Sequence, residues 1–171
     1  MIRFRFRRHP VRRERPEPIA MYLTAHTAVG VAAAAAITTN PVAAFGIGWF
    51  SHYLVDFIPH GDEQAGEWTR RGNEIRRYLV LAGADGLLAS ALFLAQAASH
   101  GFSWVSAMAF IGSTVPDVMW GLEKLFKRII FGPLQRFHLA VHNRLRVRLP
   151  TWLGLLVQAA VAGWFWSRLI G

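Results

Sequence analysis

The sequence predicts an all-α fold: a polytopic membrane helix bundle of about five transmembrane helices plus a cytoplasmic amphipathic helical segment. Three observations carry that expectation. Of the 171 residues, 53% are hydrophobic and only 17% are charged, against about 25% charged in an average soluble domain. Five apolar runs, 19–38, 41–58, 75–98, 103–122 and 150–170, have lengths suited to ~30 Å of hydrocarbon, which takes about 20 helical residues. The basic residues occupy alternate connections. Residues 1–18 hold seven Lys or Arg, 59–77 hold four and 121–149 hold seven, while the turns at 38–40 and 99–102 hold none. Arg168 alone falls elsewhere. Cytoplasmic loops concentrate Lys and Arg, so the N-terminus is expected inside the cell inner membrane and the C-terminus outside.

Each element has a local reason. Residues 1–18 are rich in Arg and Pro and are expected to form a disordered basic arm near anionic headgroups, with 19–171 as a single transmembrane domain. Met21 is an alternative start to Met1. Pro41 suits the first position of the second helix. Gly and Ala crowd the apolar runs, as close helix contacts in lipid require. Trp104, Trp120, Trp152, Trp164 and Trp166 recur near run ends, where an aromatic belt is expected. Within 121–149, Leu122, Leu125, Phe126, Ile129 and Ile130 have helical spacing, with Lys124, Lys127 and Arg128 opposite, which predicts an interfacial helix. Gly132-Pro133 breaks it, and a second helix over 134–147 carries His138 and His142.

Candidate chemistry centres on the stretch 51–62. It holds His52, Asp56, His60 and Asp62. Residues four apart share a helix face, so His52 and Asp56 stand one turn apart. Pro59 bars helix continuation and leaves His60 and Asp62 in the turn beyond. There are no cysteines, so a metal must be held by imidazole and carboxylate. The predicted topology brings His26, Asp85, Asp117, His138 and His142 to the same depth, and that topology was set by Lys and Arg alone. A buried carboxylate in lipid costs at least ~2.5 kcal/mol. The spans hold almost no Lys or Arg, so a divalent cation is the available countercharge. Glu63, Glu67, Glu74 and Glu123 are read as surface partners for arginines. His9 and His100 are excluded by position.

The run His52-x3-Asp56-x3-His60, with Pro59 before the last His, resembles the zinc-dependent phospholipase C / P1 nuclease superfamily, in particular its membrane-bound metal-dependent hydrolases. The soluble members are all-α and hydrolyse phosphodiesters of lipids or nucleic acids. The resemblance assigns the first motif to His52, Asp56 and His60, and a later pair to His138 and His142, with His in place of Glu. It matches the isolated family His to His26 and the isolated Asp to Asp85 or Asp117. It implies one or more zinc ions.

These readings give a membrane-embedded metal-dependent hydrolase acting on a phosphoester or lipid-like substrate at the cytoplasmic interface. Metal ligands would come from His26, His52, Asp56, His60, Asp85, Asp117, His138 and His142, with Asp62 and His60 as catalytic candidates. A phospholipid is the expected partner, since it already lies at that depth. Specific nucleic-acid binding is not expected, because membrane electrostatics account for the basic arm. Two other classes stay open: a cation-binding or transporting protein, and one whose cluster only staples helices. No serine-hydrolase elbow, phosphate-binding glycine loop or dinucleotide fingerprint is present. Oligomeric state is not legible.

Overall fold

The computed structural model describes residues 22–58, 74–126, 130–142 and 149–171. The basic arm, both candidate start residues, His60 and Asp62 lie outside the described residues. Among the described residues there are six helices and no strand. They are α1 Leu23–Ile37, α2 Pro41–Asp56, α3 Glu74–His100, α4 Trp104–Phe126, α5 Gly132–His142 and α6 Thr151–Ile170. The all-helical expectation is met. Three helices, α3, α4 and α6, are long and apolar enough to cross a membrane. By contrast, α1 and α2 have 15 and 16 residues. At 1.5 Å per residue, such helices reach only about 22–24 Å, short of the ~30 Å that a free-standing span needs.

The packing explains how short helices belong in an apolar bundle. α1 sits at its centre, touching α2, α3, α4 and α6. Its Ala25, Ala28, Val31 and Ala34 are buried. Asn40 caps α2 by accepting from the N–H groups of Val42 (2.8 Å) and Ala43 (3.2 Å), and Pro41 stands at the first position as expected. The tightest pairing is α2 on α4. A Cβ added to Gly48 would lie 2.2 Å from the Ala109 carbonyl oxygen, and one added to Gly112 would lie 2.2 Å from that of Phe45. The two backbones therefore touch, each glycine admitting the other helix. Gly30 extends this contact to α1, where an added Cβ would meet Ser113 and Ser51 at 3.0–3.2 Å.

The outer helices behave differently. Leu79, Val80, Leu87 and Leu94 of α3, and Leu155, Leu156 and Trp164 of α6, are exposed. So much apolar surface on two neighbouring helices calls for a lipid environment. Trp104, Trp152 and Trp164 are exposed as a belt requires, but Trp120 and Trp166 are only 4% and 2% exposed. Trp166 donates its indole N–H to the Thr24 carbonyl at 3.1 Å and fastens α6 to α1.

Two boundaries differ from expectation. α4 runs through Pro116 to Phe126, absorbing the start of the segment expected to lie separately in the interface. α5 begins at Gly132 rather than at 134, and its expected end at 147 lies outside the described residues.

Candidate metal centre

Three helices that meet at small residues deliver polar side chains just beyond that contact. His52 and Asp56 come from the last two turns of α2, His26 from the first turn of α1, and Asp117 from α4 directly after Pro116. α5 adds His138. All five residues are at most 5% exposed. α5 is held against the end of α2 by Tyr53, whose ring meets Phe137 edge-on at 4.9 Å and His138 at 5.7 Å.

Five contacts tie four donors together. His52 Nε2 lies 3.3 Å from Asp56 Oδ2, 3.6 Å from Asp117 Oδ1 and 3.5 Å from His138 Nε2. His138 Nε2 lies 3.2 Å from Asp56 Oδ2 and 3.7 Å from Asp117 Oδ1. Direct N–H···O bonds cluster near 2.9 Å, so most of these separations are long for hydrogen bonds. They match a different figure. Around an ion with bonds of about 2.0–2.2 Å, tetrahedral ligand atoms lie about 3.3–3.6 Å apart. The other oxygen of Asp56, Oδ1, faces His26 Nε2 at 3.4 Å. His26 stacks on His52 with ring centroids 4.1 Å apart. His52 is common to two triplets of donors able to hold an ion, His26/His52/Asp56 and His52/Asp117/His138.

The far side of His52 fixes its chemistry. His52 Nδ1 lies 2.8 Å from the Ser113 carbonyl oxygen. A carbonyl can only accept, so Nδ1 carries the hydrogen. In the neutral ring Nε2 is then a bare lone pair aimed at the cluster. Metal-binding histidines are oriented this way by a carbonyl or carboxylate behind them. The carbonyl is offered from the turn that Pro116 depletes: a proline has no N–H for the Gly112 carbonyl, one residue before Ser113. The donor set therefore fits a divalent cation on chemistry and on spacing.

The remaining candidates are used otherwise or fall outside the described residues. Asp85 is not grouped with these donors. Its Oδ2 accepts from the Tyr22 N–H at 2.9 Å and its Oδ1 from the Thr24 hydroxyl at 2.5 Å. It thereby closes the start of α1, where Tyr22 holds a left-handed φ of 98°. Hydrogen bonds, not a cation, answer this charge. His142 ends α5, and its side chain lies outside the described residues, as do His60 and Asp62.

Glu123, expected at the surface, is 5% exposed. Its Oε1 accepts from the N–H groups of Ile130 (2.8 Å) and Phe131, ahead of α5. It orients the helix that carries His138. Sequence reasoning missed Glu123 and Ser113. The only signal for Glu123 was its lying nine residues before a Gly-Pro helix start.

Compared with protein-family models, with curated proteins and with solved structures, the chain matches none.

Proposed function

We propose that the chain is a metal-dependent hydrolase of the inner membrane, acting on a phosphoester or lipid-like substrate at the cytoplasmic face. One observation carries the proposal: His52, His138, Asp56 and Asp117 approach one another at ligand spacing, and the Ser113 carbonyl behind His52 leaves its Nε2 free to bind. In this reading five segments cross or enter the bilayer, the short α1 lying among α2, α3, α4 and α6 and the short α2 packed on α4. The basic connections face the cytoplasm with the metal centre, by the distribution of Lys and Arg. The resemblance of His52-x3-Asp56-x3-His60 to the zinc-dependent phospholipase C / P1 nuclease superfamily supports zinc and a phosphodiester. Three imidazoles with carboxylates also suit zinc on donor chemistry alone.

His52, His138, Asp56 and Asp117 would hold the ion, with His26 on the second oxygen of Asp56. A bound zinc supplies a water of lowered pKa, near 7, and polarises a phosphoryl oxygen. Asp62 and His60 follow Asp56 closely in sequence and are the candidates to take the proton from the attacking water. Asp85 and Glu123 bind no substrate; they set the angles of α1 and α5 and so the placement of His26 and His138.

Burial favours a second reading. Donors at 0–5% exposure could hold an ion that staples four helices and performs no turnover. One experiment separates the two. Purified protein and a His52→Ala/Asp56→Ala variant are assayed for metal by mass spectrometry and for phosphate release from headgroup-labelled phospholipid. Metal and turnover both lost in the variant is the expected result. Metal in the wild type with no phosphate released would replace hydrolysis by stapling, and no metal in either would end both readings.

A further inference from the structure

The helix that carries His138 has an outer side with no role in the metal centre. α4 is long and apolar enough for a span over Trp104–Glu123, and those 20 residues fill ~30 Å of hydrocarbon by themselves. Leu125 and Phe126, at the end of α4, follow that stretch and are exposed, as is Ile130 just beyond. Glu123 then accepts from the N–H groups of Ile130 and Phe131, so α5 starts beside the end of the span. Its depth is that of the headgroups rather than the hydrocarbon.

α5 is buried on one side. His138 and Val141 are buried, whereas Pro133, Arg136, Phe137 and Ala140 are exposed. Those four recur at i, i+3, i+4 and i+7, the spacing of a single helix face. Phe137 meets Tyr53 edge-on and is still 53% exposed. Apolar side chains around one arginine, at headgroup depth, are the make-up of a helix that lies in a membrane surface.

Charge says what covers this face. Residues 121–149 hold seven Lys or Arg and a single acidic residue, Glu123. Glu123 is buried, with one oxygen taken up by two backbone N–H groups. A second copy would bring the same surplus of cations against this one and be repelled. A zwitterionic bilayer would leave the surplus unbalanced. An anionic lipid surface supplies both the countercharge and a boundary for the apolar side chains.

We propose that the Pro133–Ala140 face of α5 docks on anionic phospholipid, with Arg136 on a headgroup phosphate and Phe137 in the acyl boundary. Lipid held there also steadies the helix that brings His138 to the centre. The proposal rests on α4 spanning the bilayer, not on metal binding or hydrolysis.

The chain has no cysteine, so a nitroxide on Ala140→Cys reports this face alone. The labelled full chain is placed in nanodiscs in which phosphatidylglycerol is titrated into phosphatidylcholine. Collisions of the label with oxygen and with a water-soluble nickel chelate are read by electron paramagnetic resonance. Phosphatidylglycerol should shield the label from nickel and raise its contact with oxygen. Arg136→Gln should move the midpoint of that titration up about fivefold, the share of one cation at an anionic surface, and Arg136→Lys should restore most of it. A Pro133→Cys label on the same face repeats the reading should Ala140→Cys lose helix by circular dichroism. A label equally open to nickel with and without phosphatidylglycerol overturns the proposal. So does a response that Arg136→Gln leaves unchanged, which would move the lipid contact to other basic residues. Dipolar broadening that disappears on dilution with unlabelled chain would make a second copy the cover, and would overturn it too.

Discussion

α1 carries two buried polar sites two residues apart, and they are neutralised in opposite ways. Thr24 and the Tyr22 N–H turn to α3, where they give two hydrogens to Asp85. His26 turns to α2, where it joins Asp56, His52, His138 and Asp117. At Asp85 the backbone and a hydroxyl supply the donors, so the carboxylate is settled within the chain. At Asp56 and Asp117 the neighbours are imidazoles, one of them with its hydrogen committed to Ser113. There His52 offers a lone pair beside the carboxylates, a set that could hold a metal ion. The lesson is that burial of a carboxylate is not itself a sign of metal; what matters is whether its neighbours bring hydrogens or lone pairs.

The contrast can be broken most severely at its centre. A His52→Ala/Asp56→Ala double variant should fall to background metal content, at least a hundredfold below wild type if each ligand is worth ten or more, the scale of supporting groups around metals. Asp117→Asn and Asp85→Asn sharpen the comparison directly. The first should weaken metal retention about tenfold or more, read by competition with a chromogenic chelator. The second should leave it unchanged and lower stability by about 1 kcal/mol, because the amide oxygen still accepts one hydrogen bond. Equal metal loss in both would erase the distinction drawn here. Gly112→Ala should cost ~1–3 kcal/mol by overpacking, seen as a lower thermal midpoint in detergent. Trp166→Phe should cost about 1 kcal/mol for its bond to Thr24, with metal content kept. His100→Gln, in the last turn of α3, should change neither readout.

Much of the centre was legible because its information is periodic. The i,i+4 pair His52 and Asp56, and the shared depth of His26, Asp117 and His138, follow from helix spacing and the placement of Lys and Arg. What could not be read was rotation. Asp85 and Asp117 each stand in an apolar run beside glycine or proline, and nothing in one sequence says which neighbour each faces. The same limit hid Glu123, whose partners are backbone N–H groups seven and eight residues on. It also hid Trp166, which resembles a belt residue until its indole is seen against Thr24. Helix length misled in another way. Runs 19–38 and 41–58 read as independent spans, yet among the described residues α1 and α2 reach only 15 and 16 residues.

The glycines of α2 and α4 carry a consequence for how the cluster could change over time. Where two main chains rest on each other at Gly48 and Gly112, no cushion of side chains absorbs an error in spacing. A single added methyl there must be passed down the helices to the carboxylates, eight residues farther along α2 and five along α4. The spacing between the donors is thus governed by atoms that are missing upstream, and a variant that changed which ion could fit there would do so by substituting those glycines while leaving every donor in place.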